Sequence, residues 1–215
     1  MTLINETLLS ELTQLYSATG RVYHGVGHVY SLLNLLREHR DAFTDIEVVE
    51  AAIWFHDSIY DTHAADNELK SAELAVSRLS GTVSVERLSR IRALIEATAT
   101  HTLPPFSDAR HVADAAMFLD MDLSILGADV EAFEAYESAV RQEYGWVTEA
   151  DWTIGRTRIL TEFADRAHIF YSERFRGLYE KQARENIRRS LARLSKIRNE
   201  ASEASVVLSS LRASS

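Results

Sequence analysis

Two histidines four residues apart, His24 and His28, stand in RVYHGVGHV (21–29), and a third, His56, is followed by Asp57 in WFHDSIYD (54–61). Imidazole nitrogen with carboxylate oxygen is a ligand set for Zn, Mn, Fe or Mg, and imidazole also moves protons near neutral pH. If the segment from 24 is helical, residues four apart share a face, and His24 and His28 present two rings to one centre. The same spacing occurs in hydrogen-bonded cores, so alone it decides little. His56-Asp57 says more, because it closes the apolar run AAIWF, where a buried, unpaired carboxylate is expensive. A divalent cation, an arginine or a helix end would each compensate that charge. AAMFLDMDLSILG (115–127) repeats the pattern, with Asp120 and Asp122 behind an apolar segment.

Helices must position these groups. Apolar residues recur at helical intervals, as in Leu8, Leu12, Leu15 and Tyr16, then Leu32, Leu33, Leu35 and Leu36, then Ile46, Val49 and Ile53. The two prolines are adjacent at 104–105 and the eight glycines are scattered, which leaves little punctuation for a sheet. The pattern predicts an all-α bundle with helices near 3–18, 25–40, 45–60, 66–80, 84–101, 109–122, 128–143, 149–164 and 174–199. Thr44 with Glu47, and Thr148 with Asp151, read as capping boxes, and HTLPPFSD (101–108) reads as the clearest loop. Residues 1–199 are expected to form one domain, with a motif core at about 20–145 and C-terminal helices over 149–199. Residues 174–199 hold nine of the 23 basic side chains on an amphipathic pattern, a surface that would also suit a second copy in a homodimer. The Ser-rich stretch from 200 to 215 is expected to be a flexible tail.

Composition narrows the function classes. With 46% apolar and 26% charged residues and no apolar run of the length a span requires, the chain reads as a water-soluble protein without a membrane partner. The start MTLINETLLSELTQLY lacks a basic region and a continuous apolar block, so a cytoplasmic location is the expectation. There is no cysteine, so any metal must rest on His and carboxylate. A net charge of −9 opposes general nucleic-acid binding and leaves room for a small-molecule enzyme with a local cationic pocket.

In combination, H…HD…D resembles the HD superfamily of metal-dependent phosphohydrolases, and more narrowly its predicted bacterial members of about this length. YHGVGHV is also similar to the YHNxxHA segment of cyclic-nucleotide phosphodiesterases in that superfamily. The resemblance implies His28 as the first metal ligand, His56 and Asp57 as the central pair, and Asp122 as the last ligand, since MDLS reads like the closing motif. Asp120 stays open as its alternative. His24 takes the place of the histidine that protonates the leaving group, and Asp57 or Asp122 would accept a proton from water. Gly25 stands where the phosphodiesterases carry Asn, so cyclic-nucleotide hydrolysis is not implied.

Other positions fit such a site without being required by it. Asn67 and Glu68 would orient water or a ligand histidine, although acidic residues at a helix start also favour its free N–H groups. His101 would be an extra ligand or a substrate contact. Arg21 and Arg141 are the basic residues nearest the motifs and would face phosphate. Tyr144, like Tyr23, Tyr60 and Tyr136, would offer a hydroxyl or a ring, unless it simply packs. His39, His63, His111 and His168 read as surface residues. The expected function is a metal-dependent phosphoric ester hydrolase acting on a small phosphorylated compound such as a nucleotide, with Mn, Mg, Zn, Fe, Ni or Co. The alternatives are a binding or regulatory protein on the same fold, and a di-iron oxygenase with His101 as an added ligand.

Overall fold

The computed structural model describes residues 3–213, with side chains through 200. Two of the first three helices start where a short polar side chain satisfies a free N–H. Asn5 accepts from Leu8 N–H to open α1 (Glu6–Tyr16), Asp45 accepts from Val48 N–H to open α3 (Ile46–Phe55), and Gly25 precedes α2 (Val26–Glu38). α4 (Asn67–Leu79), α5 (Val85–Ala97), α6 (Ala109–Leu123), α7 (Val130–Glu143) and α8 (Glu149–Ala164) follow. A single turn, α9 (Glu173–Phe175), and a π turn at Arg176–Glu180 lead into α10 (Lys181–Ala213). No strand occurs among the described residues, and the protein is all-α as its periodicity predicts.

α3 is the centre of the bundle. Val48, Val49, Ala51, Ala52, Ile53, Trp54 and Phe55 are all buried, because α2, α4, α5 and α6 pack around them. Burial of each large side chain contributes roughly 1.5–3 kcal/mol. Tyr16, Leu32, Ile91 and Phe118 extend the same core, while α10 lies along α8. No described helix is long and apolar enough to cross a membrane.

Several expected boundaries move, for local reasons. α3 stops at Phe55 rather than near 60, since the Ser58 N–H and Oγ both donate to the Phe55 carbonyl and close a turn there. Its cap is Asp45, not Thr44, whereas Thr148 does cap α8 through Asp151 N–H. α5 ends at Ala97, and the chain turns through His101 at φ +48°. The segment from 201 continues as α10 to Ala213, and its side chains lie outside the described residues.

Candidate metal centre

Three helices bring candidate ligands together at one point. His28 lies in the first turn of α2, His56 directly follows α3, and Asp122 is in the last turn of α6. One ligand atom from each falls within 4.8 Å of the other two. His28 Nε2 is 3.2 Å from His56 Nε2 and 3.1 Å from Asp122 Oδ1, and the latter is 3.7 Å from His56 Nε2. His56 Nδ1 donates to the Ile53 carbonyl at 2.9 Å, which fixes the tautomer and turns the Nε2 lone pair inward. Asp57 Oδ2 sits 3.2 Å from that nitrogen, with its backbone N–H held by the Tyr16 hydroxyl. Two inward Nε2 atoms beside carboxylate oxygens form a donor set that fits a divalent cation.

The charges respond to this crowding. Burial works against the His56 imidazolium, but the charge and hydrogen bond of Asp57, with Asp122 behind them, push the ring up to about 9. Burial also opposes the charge on Asp122, yet its bonds to His101 and His28 hold that carboxyl well below the usual range. Asp57 is lowered in the same way, chiefly by His56 against its own burial.

His24 is placed differently from expectation. It precedes the first residue of α2, so it does not share a helical face with His28. Glu143, the last residue of α7, holds it instead. Glu143 Oε1 accepts the backbone N–H groups of Val22, Tyr23 and His24 at 2.7, 2.7 and 2.9 Å. Its Oε2 pairs with His24 Nδ1 at 2.6 Å and accepts from the Tyr60 hydroxyl at 2.8 Å. With Nδ1 donating to the carboxylate, His24 Nε2 is left for other chemistry. The bond to Glu143 raises the His24 pKa despite burial, and the same bond brings Glu143 down to about 2 against its own burial.

A cavity of about 290 Å³ opens on this cluster, and His24, His28, Asp57, Glu68, His101 and Asp122 all line it. His101 Nε2 approaches Asp122 Oδ2 at 2.9 Å. The remaining expected positions serve the scaffold. Asp120 is not with the ligands: two residues from Asp122 is about 200° around a helix, and its oxygens each accept at 2.7 Å, from Tyr171 and Ser172 N–H. The Arg21 guanidinium donates to the carbonyls of His24, Asp57 and Ser58 and so ties the two motif segments together. Arg141 is likewise spent, on the carbonyls of Tyr144 and Val147 and on Glu149. Tyr144 follows α7 and packs against Trp152. Asn67 clamps Asp61 through both its N–H and carbonyl.

Sequence reasoning missed Glu143, Arg156 and Arg166. The last two line the cavity, with Arg156 bonded to Glu137 and Tyr136 and Arg166 to the carbonyls of Thr100 and His101. A separate test divides the two aspartates of α6. Asp120→Ala is expected to lower stability by about 2 kcal/mol in a urea melt, for two lost charge-assisted bonds, while metal content stays at the native value. Comparison of the chain with protein-family models, curated proteins and solved structures returned no match.

Proposed function

We propose that the chain is a metal-dependent phosphohydrolase for a small phosphorylated compound. The observation that carries this reading is the convergence of His28, His56 and Asp122 within 4.8 Å, beside a cavity lined by His28 and Asp122 together with Asp57 and His24. A bound divalent cation would acidify a water and polarise a phosphoryl oxygen. The protein side chains then divide the remaining work. Asp57 accepts the proton of the attacking water. His24, kept protonated on Nδ1 by Glu143, gives the proton on Nε2 to the departing oxygen. Glu68 orients water at the cavity wall, and Arg166, with donors left over from its two carbonyl partners, draws the phosphate in.

Metal analysis of the purified protein, followed by a phosphatase screen over nucleotides and other phosphate esters, tests this reading. Activity that follows metal loading and is lost in Asp57→Ala supports it, and full activity in Asp57→Ala with added Mn overturns it. His24→Gln is expected to lower kcat by about a hundredfold, the usual contribution of a general acid, with metal content unchanged.

One observation favours a second reading. Asp122 meets His28 through Oδ1 and His101 through Oδ2, as a carboxylate between two ions would. On that reading the protein is a di-iron oxygenase, marked by two irons per chain and an iron absorption spectrum.

A further inference from the structure

A second cavity, of about 460 Å³, lies against the same ligands. Tyr23, His28, Asp122 and Ile125 line both cavities, so two members of the cluster, His28 and Asp122, border the two spaces at once. Their chemistry differs. His24, Asp57, Glu68 and His101 belong to the first alone, whereas the second is completed by apolar side chains such as Val22, Leu32 and Met121. Asp122 is its one carboxylate among the described residues.

The second cavity is also a built feature. A Cβ added at Gly127 would stand 2.5 Å from Tyr179 Cβ, so only glycine lets the π turn settle and set Tyr179 as the far wall. At Gly27, on the α2 wall, an added Cβ would meet no atom within 4 Å. Val22, at 51% exposure, gives the cavity an apolar rim.

We infer that this cavity receives the non-leaving organic arm of a phosphoric diester, which makes the substrate class a small diester with an apolar or aromatic arm. The inference rests on the phosphohydrolase reading. The departing oxygen must lie near His24, which lines only the first cavity, and a second substituent on a phosphorus held at His28 and Asp122 has the apolar space to enter. In the reaction, the water oxygen bonds to phosphorus and its proton passes to Asp57. The bond from phosphorus to the leaving oxygen breaks, and that oxygen takes its proton from His24. The products are an alcohol and a monoester that keeps its apolar arm.

Gly27→Leu and Ser31→Leu test the assignment, since both positions line the second cavity from α2 and neither is a proposed ligand. Leucine is a better helix former than either residue it replaces, and Ser31 is exposed. Binding of diphenyl phosphate and of inorganic phosphate to the Mn-loaded protein is measured by calorimetry. Each variant is expected to weaken diphenyl phosphate about tenfold, as for loss of a buried apolar ring, and to leave inorganic phosphate unchanged. Equal losses for both probes, no loss for either, or no binding of diphenyl phosphate to the native protein overturns the inference. Turnover of bis(4-nitrophenyl) phosphate is followed in parallel. Binding selectivity that vanishes in both variants, without hydrolysis, keeps the apolar subsite and overturns the hydrolase reading instead.

Discussion

Asp122→Ala is expected to remove bound metal and turnover together, with metal affinity reduced by more than about a hundredfold and turnover by about a thousandfold or more. Among the described residues Asp122 is the only carboxylate bonded to both His28 and His101, and its charge also faces His56. Removing it leaves two Nε2 atoms 3.2 Å apart, with Asp57, whose Oδ2 is 3.2 Å from His56 Nε2, as the remaining carboxylate. Metal counting by mass spectrometry after dialysis reads the result directly. A variant that keeps a full complement of metal moves the ligand role to another residue.

The protonation of His56 adds a pH signature to the same site. In the metal-free protein its pKa is raised from 6.5 to about 9, so its contribution to stability is fully present below 6.5 and is lost as pH rises through 9. A cation must displace that proton. Metal affinity is therefore expected to rise about tenfold per pH unit between 7 and 9, the slope of one released proton. A metal titration that is flat over this interval would show that His56 is not a ligand.

Glu137→Leu is expected to cost about 3–5 kcal/mol, the penalty for leaving a buried charge without its partner. Glu137 and Arg156 are 6% and 7% exposed and are joined by a two-pronged contact. Glu137 also accepts from Ser190 and Arg193, so one carboxylate ties α7 to α8 and α10. Urea melts of the single variant and of Glu137→Leu/Arg156→Met separate the penalty from the net worth of the pair. The double variant is expected to regain most of the loss, because an apolar pair of similar volume needs no compensation. If it is as unstable as the single variant, packing rather than charge holds these helices.

The helices were legible in the sequence from local signals, whereas His28, His56 and Asp122 were singled out together only through the resemblance to the HD superfamily. Helical periodicity, the apolar run before His56 and the capping pattern at Thr148 are local signals, carried by neighbours within a few residues. Part of what the sequence hid was set by distant contacts. Glu143 meets His24 across 119 residues, and nothing in RQEYGW marks it as the carboxylate that orients a histidine. Arg21 and Arg141 looked suited to phosphate, but neighbouring carbonyls claim both guanidiniums. Asp120 and Asp122 look alike in a string of letters, and the helix turns them to different partners. The early stop of α3 was equally invisible, since it depends on how Ser58 folds back on Phe55.

That early stop has a consequence for the field at the site. α3 ends at Phe55 and α6 at Leu123, so both helices finish beside the ligands they supply. The aligned peptide dipoles of a helix leave about half a negative charge at its C-terminus, worth roughly 0.3–1 kcal/mol to a nearby cation. Two such ends meet at His56 and Asp122. A cation at this point would be favoured partly by the main chain, and substitution of one side chain leaves that contribution in place.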